Sequence, residues 1–169
     1  DKDPVTTTIL DNSNPKDSST QHNPNTPNDP TNPHNTETNG KDIVVIKLFA
    51  ADKDGNVLKD IDGNYLLANK AEEGTTAKYI AYAFKDRETT FNDSTKLANQ
   101  TGTVDIQFQN GTATGSTTGD TTGTKDFNNT SKSITLGTAF GTEVFRDKTD
   151  EGDENYTVTI QDGSYSGAY

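Results

Sequence analysis

The sequence predicts an all-β protein folded as an antiparallel sandwich, and three observations predict it. Short stretches alternate apolar and polar residues with a period of two, as in TVDIQFQ (103–109) and NYTVTIQ (155–161). Clusters of Gly, Asn and Asp stand between them as turn formers. No stretch carries the periodicity of an amphipathic helix, and KDRETTFNDSTKLANQ (85–100) has room for one turn. Only 27% of the residues are hydrophobic and the mean hydropathy is −0.91, so the core is thin and its stability calls for support.

The chain divides into three parts. Residues 1–10 predict a β-strand, with Val5, Thr7 and Ile9 as its alternating positions. Residues 11–40 contain no Val, Ile, Leu, Phe or Tyr, so they predict a Pro/Asn-rich linker. Within it Pro24, Pro27, Pro30 and Pro33 recur at every third position, the three-residue turn of polyproline II. At about 3.1 Å per residue, residues 11–39 extend over roughly 90 Å, against a radius of gyration of about 14 Å for a compact domain of the remaining length. Residues 41–169 predict the sandwich domain itself. Its strands are expected at 42–50, 64–68, 76–84, 103–109, 132–136, 142–146 and 155–161, with a short further strand in SYSGAY. In TAKYIAYAF (76–84), Lys78, Ile80, Tyr82 and Phe84 share one face and Ala77, Tyr79, Ala81 and Ala83 the other.

Charge and composition narrow the function. A net charge of −11 argues against nucleic acid and against anionic membrane surfaces. No apolar run approaches a membrane span, so no membrane insertion is expected. The chain lacks cysteine, which excludes disulfides and thiolate metal sites. The only histidines, His22 and His34, lie in the linker, and there is no phosphate loop, so the chain is not expected to be an enzyme. Starting at Asp1, it is expected to be a mature product or an excerpt of a longer chain.

Three stretches stand out together. Glu73-Gly74 opens the strand TAKYIAYAF, GTATG leads through a Thr/Gly loop to Lys125-Asp126-Phe127, and EGDE (151–154) precedes YTVTI. In this order they resemble the Calx-β family over residues 71–161. The resemblance implies an immunoglobulin-like antiparallel sandwich of the kind found in large bacterial surface adhesins. It also implies Ca²⁺ held by Glu73, Asp126, Asp150, Glu151, Asp153 and Glu154, with Asp147 beside them. Five acids within residues 147–154 would repel one another without a cation, which agrees. Two features depart from the family pattern: the longer loop 110–126, and the additional block 41–70.

That block carries a possible second metal site. Asp52, Asp54 and Asn56 alternate around Gly55, and Asp60 and Asp62 repeat the arrangement around Gly63. The spacing resembles the start of an EF-hand loop but lacks its twelfth-position Glu, and D-G-N is a common hairpin turn, so two β-turns are the favoured reading.

In the resembled family a further Thr/Ile-rich edge strand follows the E-G-D-E strand. Here VTTTILDN (5–12) resembles that strand from the other end of the chain. It is expected either to fold back onto its own sandwich or to be donated to a neighbour. Together these readings predict an extracellular bacterial structural subunit or repeat, stiffened by calcium and joined head to tail to identical or similar modules. The alternative is a calcium-dependent module of an adhesin that binds a host or matrix glycan or a peptide.

Overall fold

The computed structural model describes residues 7–10, 43–85, 88–120, 123–146, 152–167 and 169. All regular structure among them is β, in nine strands. They are β1 (Thr7–Leu10), β2 (Ile43–Ala51), β3 (Thr76–Lys85), β4 (Thr103–Asn110), β5 (Gly115–Ser116), β6 (Phe127–Asn128), β7 (Lys132–Thr135), β8 (Phe140–Glu143) and β9 (Tyr156–Ile160). One antiparallel sheet runs β1-β2-β3-β8 and a second runs β7-β4-β9; β5 and β6 form a small parallel pair.

The two sheets enclose one core, which gives a sandwich-like, two-layer architecture. Val44, Ile46 and Leu48 of β2 and Ala77, Tyr79, Ala81 and Ala83 of β3 face Val104 and Ile106 of β4, Ile134 of β7, and Val158 and Ile160 of β9. The alanines of β3 allow the layers to approach closely, and alternation along each strand supplies the apolar face. Phe108, expected inward from the sequence, is partly buried and packs against this core.

The first sheet is also covered on its outer face. Phe49, Ile80, Tyr82 and Phe84 join Tyr65 in a second apolar cluster, with Phe91 and Val57 packed against it. This double burial explains why β2 and β3 read as nearly continuous apolar runs rather than clean alternations. The cover is residues 52–70, the part of the additional block 41–70 that follows β2, together with residues 88–97.

The cover is built from two matching turns. In each, Asp donates its N–H to the Asn carbonyl four residues on (Asp52 to Asn56, 2.8 Å; Asp60 to Asn64, 2.9 Å). Gly55 and Gly63 sit at φ +89° and +84°, closing three-residue hairpin loops that only glycine enters without strain. The segments between the turns then close a ring: Ala50 N–H bonds to Leu66 O, Leu66 N–H to Leu58 O, and Leu58 N–H to Ala50 O, each at 2.9 Å. The eight-residue spacing of the turns brings these three backbones together.

Elsewhere the strand boundaries shift. The strand expected at 142–146 runs from Phe140 to Glu143 instead. Gly141 lies opposite Lys78, where a Cβ would stand 2.5 Å from the Thr76 side chain, so the close approach requires glycine. The run 64–68 contributes one bridge, Lys59 to Tyr65, and the expected strand in SYSGAY one, Thr103 to Ser166. Past the end of β8, Gln100 completes the edge of β3: its Oε1 accepts from Ala83 N–H at 2.7 Å and its Nε2 donates to Ala83 O at 3.1 Å. The linker 11–40 with Pro24, Pro27, Pro30 and Pro33 lies outside the described residues, as does Val5; Thr7 and Ile9 fall in β1.

A charged cap closes the outer cluster. Asp93 accepts from the Tyr65 hydroxyl at 2.5 Å and from Lys59 Nζ at 2.5 Å, with Lys96 Nζ at 3.6 Å. Lys96 also lies 4.3 Å from the centre of the Tyr82 ring. The hydrogen bonds from Lys59 and Tyr65 hold the Asp93 carboxyl down at about 2. A depressed folded pKa contributes stability above the unfolded value, and that stability is lost as pH falls through the folded one. Asp93→Asn is therefore expected to lower stability at neutral pH by under about 1 kcal/mol, because the carboxylate is exposed and solvent-screened. The melting temperatures of the two chains should converge as pH falls from about 4 toward 2. A difference that persists at pH 2 would place the effect in packing rather than charge.

Candidate cation-binding cleft

The starts of β3 and β9 and the end of β8 meet at one end of the two-layer body and frame a cleft of about 1020 Å³. Local backbone bonds fix the turns that carry the acidic residues of the rim. Glu72 and Glu73 occupy the turn into β3. There Gly74 takes φ +75°, Thr75 N–H bonds to Glu72 O at 3.1 Å, and Gly74 N–H bonds to Val144 O at 3.0 Å. A side chain at position 74 would also meet Arg146, whose Nε would lie 3.2 Å from the Cβ. The E-G pair thus brings an acid and an arginine to the same corner.

Asp126 ties the loop after β4 to the end of β8. Its Oδ2 accepts from Thr114 N–H at 2.5 Å, its N–H donates to Thr114 O at 2.9 Å, and its carbonyl accepts from Phe145 N–H at 2.7 Å. Glu154 precedes Asn155, which is pinned to the loop after β4: Asn155 N–H donates to Thr112 Oγ1 at 2.9 Å and Ala113 N–H donates to Asn155 O at 3.0 Å.

The floor is aromatic. The Tyr79 and Tyr156 hydroxyls are 2.8 Å apart, and the Tyr156 ring stacks on the fully buried Phe127 at 4.0 Å. Burial pushes both phenols above their ordinary range. They stay neutral at physiological pH, so the charge of the cleft belongs to its rim. That rim carries Glu72, Glu73, Asp126, Asp153 and Glu154 against Lys70 and Arg146.

The cleft collects four of the residues the sequence nominates: Glu73, Asp126, Asp153 and Glu154. Asp147, Asp150 and Glu151 lie outside the described residues. Among the described residues no three acids stand close enough together to hold a metal ion. The donor set is entirely oxygen, without thiolate or imidazole, which suits a hard cation such as Ca²⁺. Sequence reasoning passed over Glu72, the two cations and the tyrosine pair. Glu72 adjoins a nominated residue; the tyrosines sit in strands with hydroxyls reaching the cleft from the core face, which alternation alone does not show.

The second nominated group has a different character. Asp52 Oδ1 accepts from Asp54 and Asn56 N–H, both at 2.9 Å, and Asp60 Oδ1 accepts from Asp62 and Asn64 N–H at 2.9 and 2.8 Å. These bonds, that from Asn56 or Asn64 foremost, hold both carboxyls below the usual range. Asp54 pairs with Lys53 at 2.9 Å on the surface. The carboxylates at 52 and 60 are thus engaged in forming the turns. Compared with family models, with curated proteins and with solved structures, the chain matches none.

Proposed function

We propose that this chain is a structural module of an extracellular bacterial filament or giant adhesin. It is an immunoglobulin-like, Calx-β-like sandwich, stiffened by calcium in the acidic cleft and joined head to tail to identical or similar modules by its N-terminal strand. The reading includes no catalytic role. One observation carries it. Leu10 of β1 pairs directly with Ile43 of β2, yet the 32 residues 11–42 separate them in the chain. Hairpin connections usually take two to five residues. A strand held by so long a connector, free of large apolar residues and stiffened by regularly spaced proline, pairs as readily with another sandwich as with its own. Such an exchange is heterologous and propagates into an open chain.

Light scattering on the whole chain in millimolar calcium tests this. Particle size is expected to grow with concentration, and deletion of residues 1–10 to abolish growth while circular dichroism still reports a folded sheet. Growth that survives the deletion would overturn strand donation. The second reading, a calcium-dependent glycan- or peptide-binding module, is favoured by the cleft itself, which is large enough for a small ligand. Saturable, calcium-dependent binding on a glycan array would select it.

A further inference from the structure

The two layers are unequal. The first sheet has four strands and the second three. β2 packs across the core from β9, and at the other end of the layers Lys132 of β7 donates to Gly141 O of β8 at 2.7 Å. β1, flanking β2, therefore extends beyond β9, and no described strand lies beside β9 on that side.

The phase of the β4–β9 ladder shows which groups this leaves open. Gln161 N–H bonds to Asp105 O at 2.8 Å, so the odd-numbered residues of β4 turn their backbone groups toward β9. Thr157 and Thr159, opposite Gln109 and Gln107, make the ladder bonds. Tyr156, Val158 and Ile160 turn their N–H and C=O groups the other way, along an edge that no strand among the described residues pairs with. The side chains of Val158 and Ile160 are buried, so this edge borders the core itself.

Natural edge strands are usually guarded by Lys, Pro or a bulge. β7 starts with Lys132 and β8 ends with Glu143. β9 reads YTVTI, with no charge, and the uncharged run extends from Asn155 to Gln161. The N-terminal segment has matching character: Pro4 to Leu10 is also seven residues, also uncharged, with Val5, Thr7 and Ile9 alternating.

We infer that the outer edge of β9 is a strand-acceptor slot, and that its occupant is the N-terminal strand of a second copy of this module. This rests on the proposed head-to-tail role and names where the donated strand docks. Pairing of β9 with another β9 fits less well, because it presses together two bodies that belong to chains of charge −11. A strand on a 32-residue connector fills the slot while its own sandwich stays well beyond the Debye length of about 8 Å.

Residue-resolved hydrogen exchange on the whole chain tests the assignment, with a peptide of residues 1–12 added in excess. The amides of Tyr156, Val158 and Ile160 are expected to slow at least tenfold, while those of Val104 and Ile106 stay unchanged. No slowing at saturating peptide overturns the slot, whether or not the chain assembles. In the assembled state, docking on β9 also removes β1 from its own β2, so the amides of Val44 and Ile46 should exchange faster. Assembly with those amides still protected and β9 unprotected would mean that strands are exchanged onto β2; the head-to-tail role would then stand and this inference fall. Val158→Pro supplies the complement. Its N–H makes no ladder bond, and proline is tolerated at such edge positions, so the variant should fold yet neither bind peptide nor assemble.

Discussion

A Phe84→Ala chain is expected to lose about 3–5 kcal/mol of folding stability and to melt roughly 10 °C lower. Phe84 is fully buried on the outer face of β3. Its ring lies 4.9 Å from Phe91, 5.7 Å from Phe49 and 6.2 Å from Tyr65, the first two edge-to-face. The cavity left by truncation cannot collapse easily. Phe49 is fixed in β2, and the segment of Phe91 is held by the 2.8 Å bond from Tyr65 N–H to Phe91 O. The damage should fall first on the cover: amides in residues 57–66 should exchange before those of Val104 and Ile106. Leu67→Ala, at a side chain 44% exposed, should stay within about 0.5 kcal/mol of the parent. A melting point within 2 °C of the parent for Phe84→Ala would mean that the outer cluster adds little to the fold.

The cover matters because a chain this polar builds only a modest core between its layers. The first sheet gains by being buried on both faces, and that was half legible. Alternation divides β3 correctly into an Ala77/Tyr79/Ala81/Ala83 face and an Ile80/Tyr82/Phe84 face. It does not say that both faces are covered, since a large apolar side chain on a half-exposed strand reads the same way. The turns at Asp52–Asn56 and Asp60–Asn64 follow from their residues, because Asp accepts local N–H bonds and Gly enters positive φ. The ring of Ala50, Leu58 and Leu66 does not follow, since it depends on three segments meeting in space. β8 was displaced for a similar reason. A glycine inside a strand weakens the pattern, and only the contact with Thr76 shows why Gly141 stands there. Of the cleft, Glu73, Asp126, Asp153 and Glu154 were legible through the order of their surrounding stretches, not through any one spacing. Acids as far apart in the chain as Glu73 and Glu154 reach one cleft only through the fold.

Calcium at millimolar concentration is expected to raise the melting temperature by several degrees, and chelator to reverse the rise. A ligand at about one hundred times its dissociation constant stabilises the folded state by about 2.7 kcal/mol, which for a chain of this size corresponds to roughly 5–10 °C. The expected cause is local. Five carboxylates face two cations around the cleft, and the Tyr79–Tyr156 floor beneath them stays neutral, so the described lining carries an excess of negative charge. Asp126→Asn separates coordination from folding. An amide oxygen can still accept the Thr114 N–H, so the calcium-free melting point should hardly move, while the calcium-induced rise should fall by at least half. Sodium chloride at equal ionic strength distinguishes a bound ion from general screening, which acts on every surface charge alike. An equal rise in sodium chloride, or none in calcium, would remove the ion from the cleft. The support that a thin core calls for would then rest on the aromatic cover alone, and Phe84→Ala would be the more telling of the two measurements.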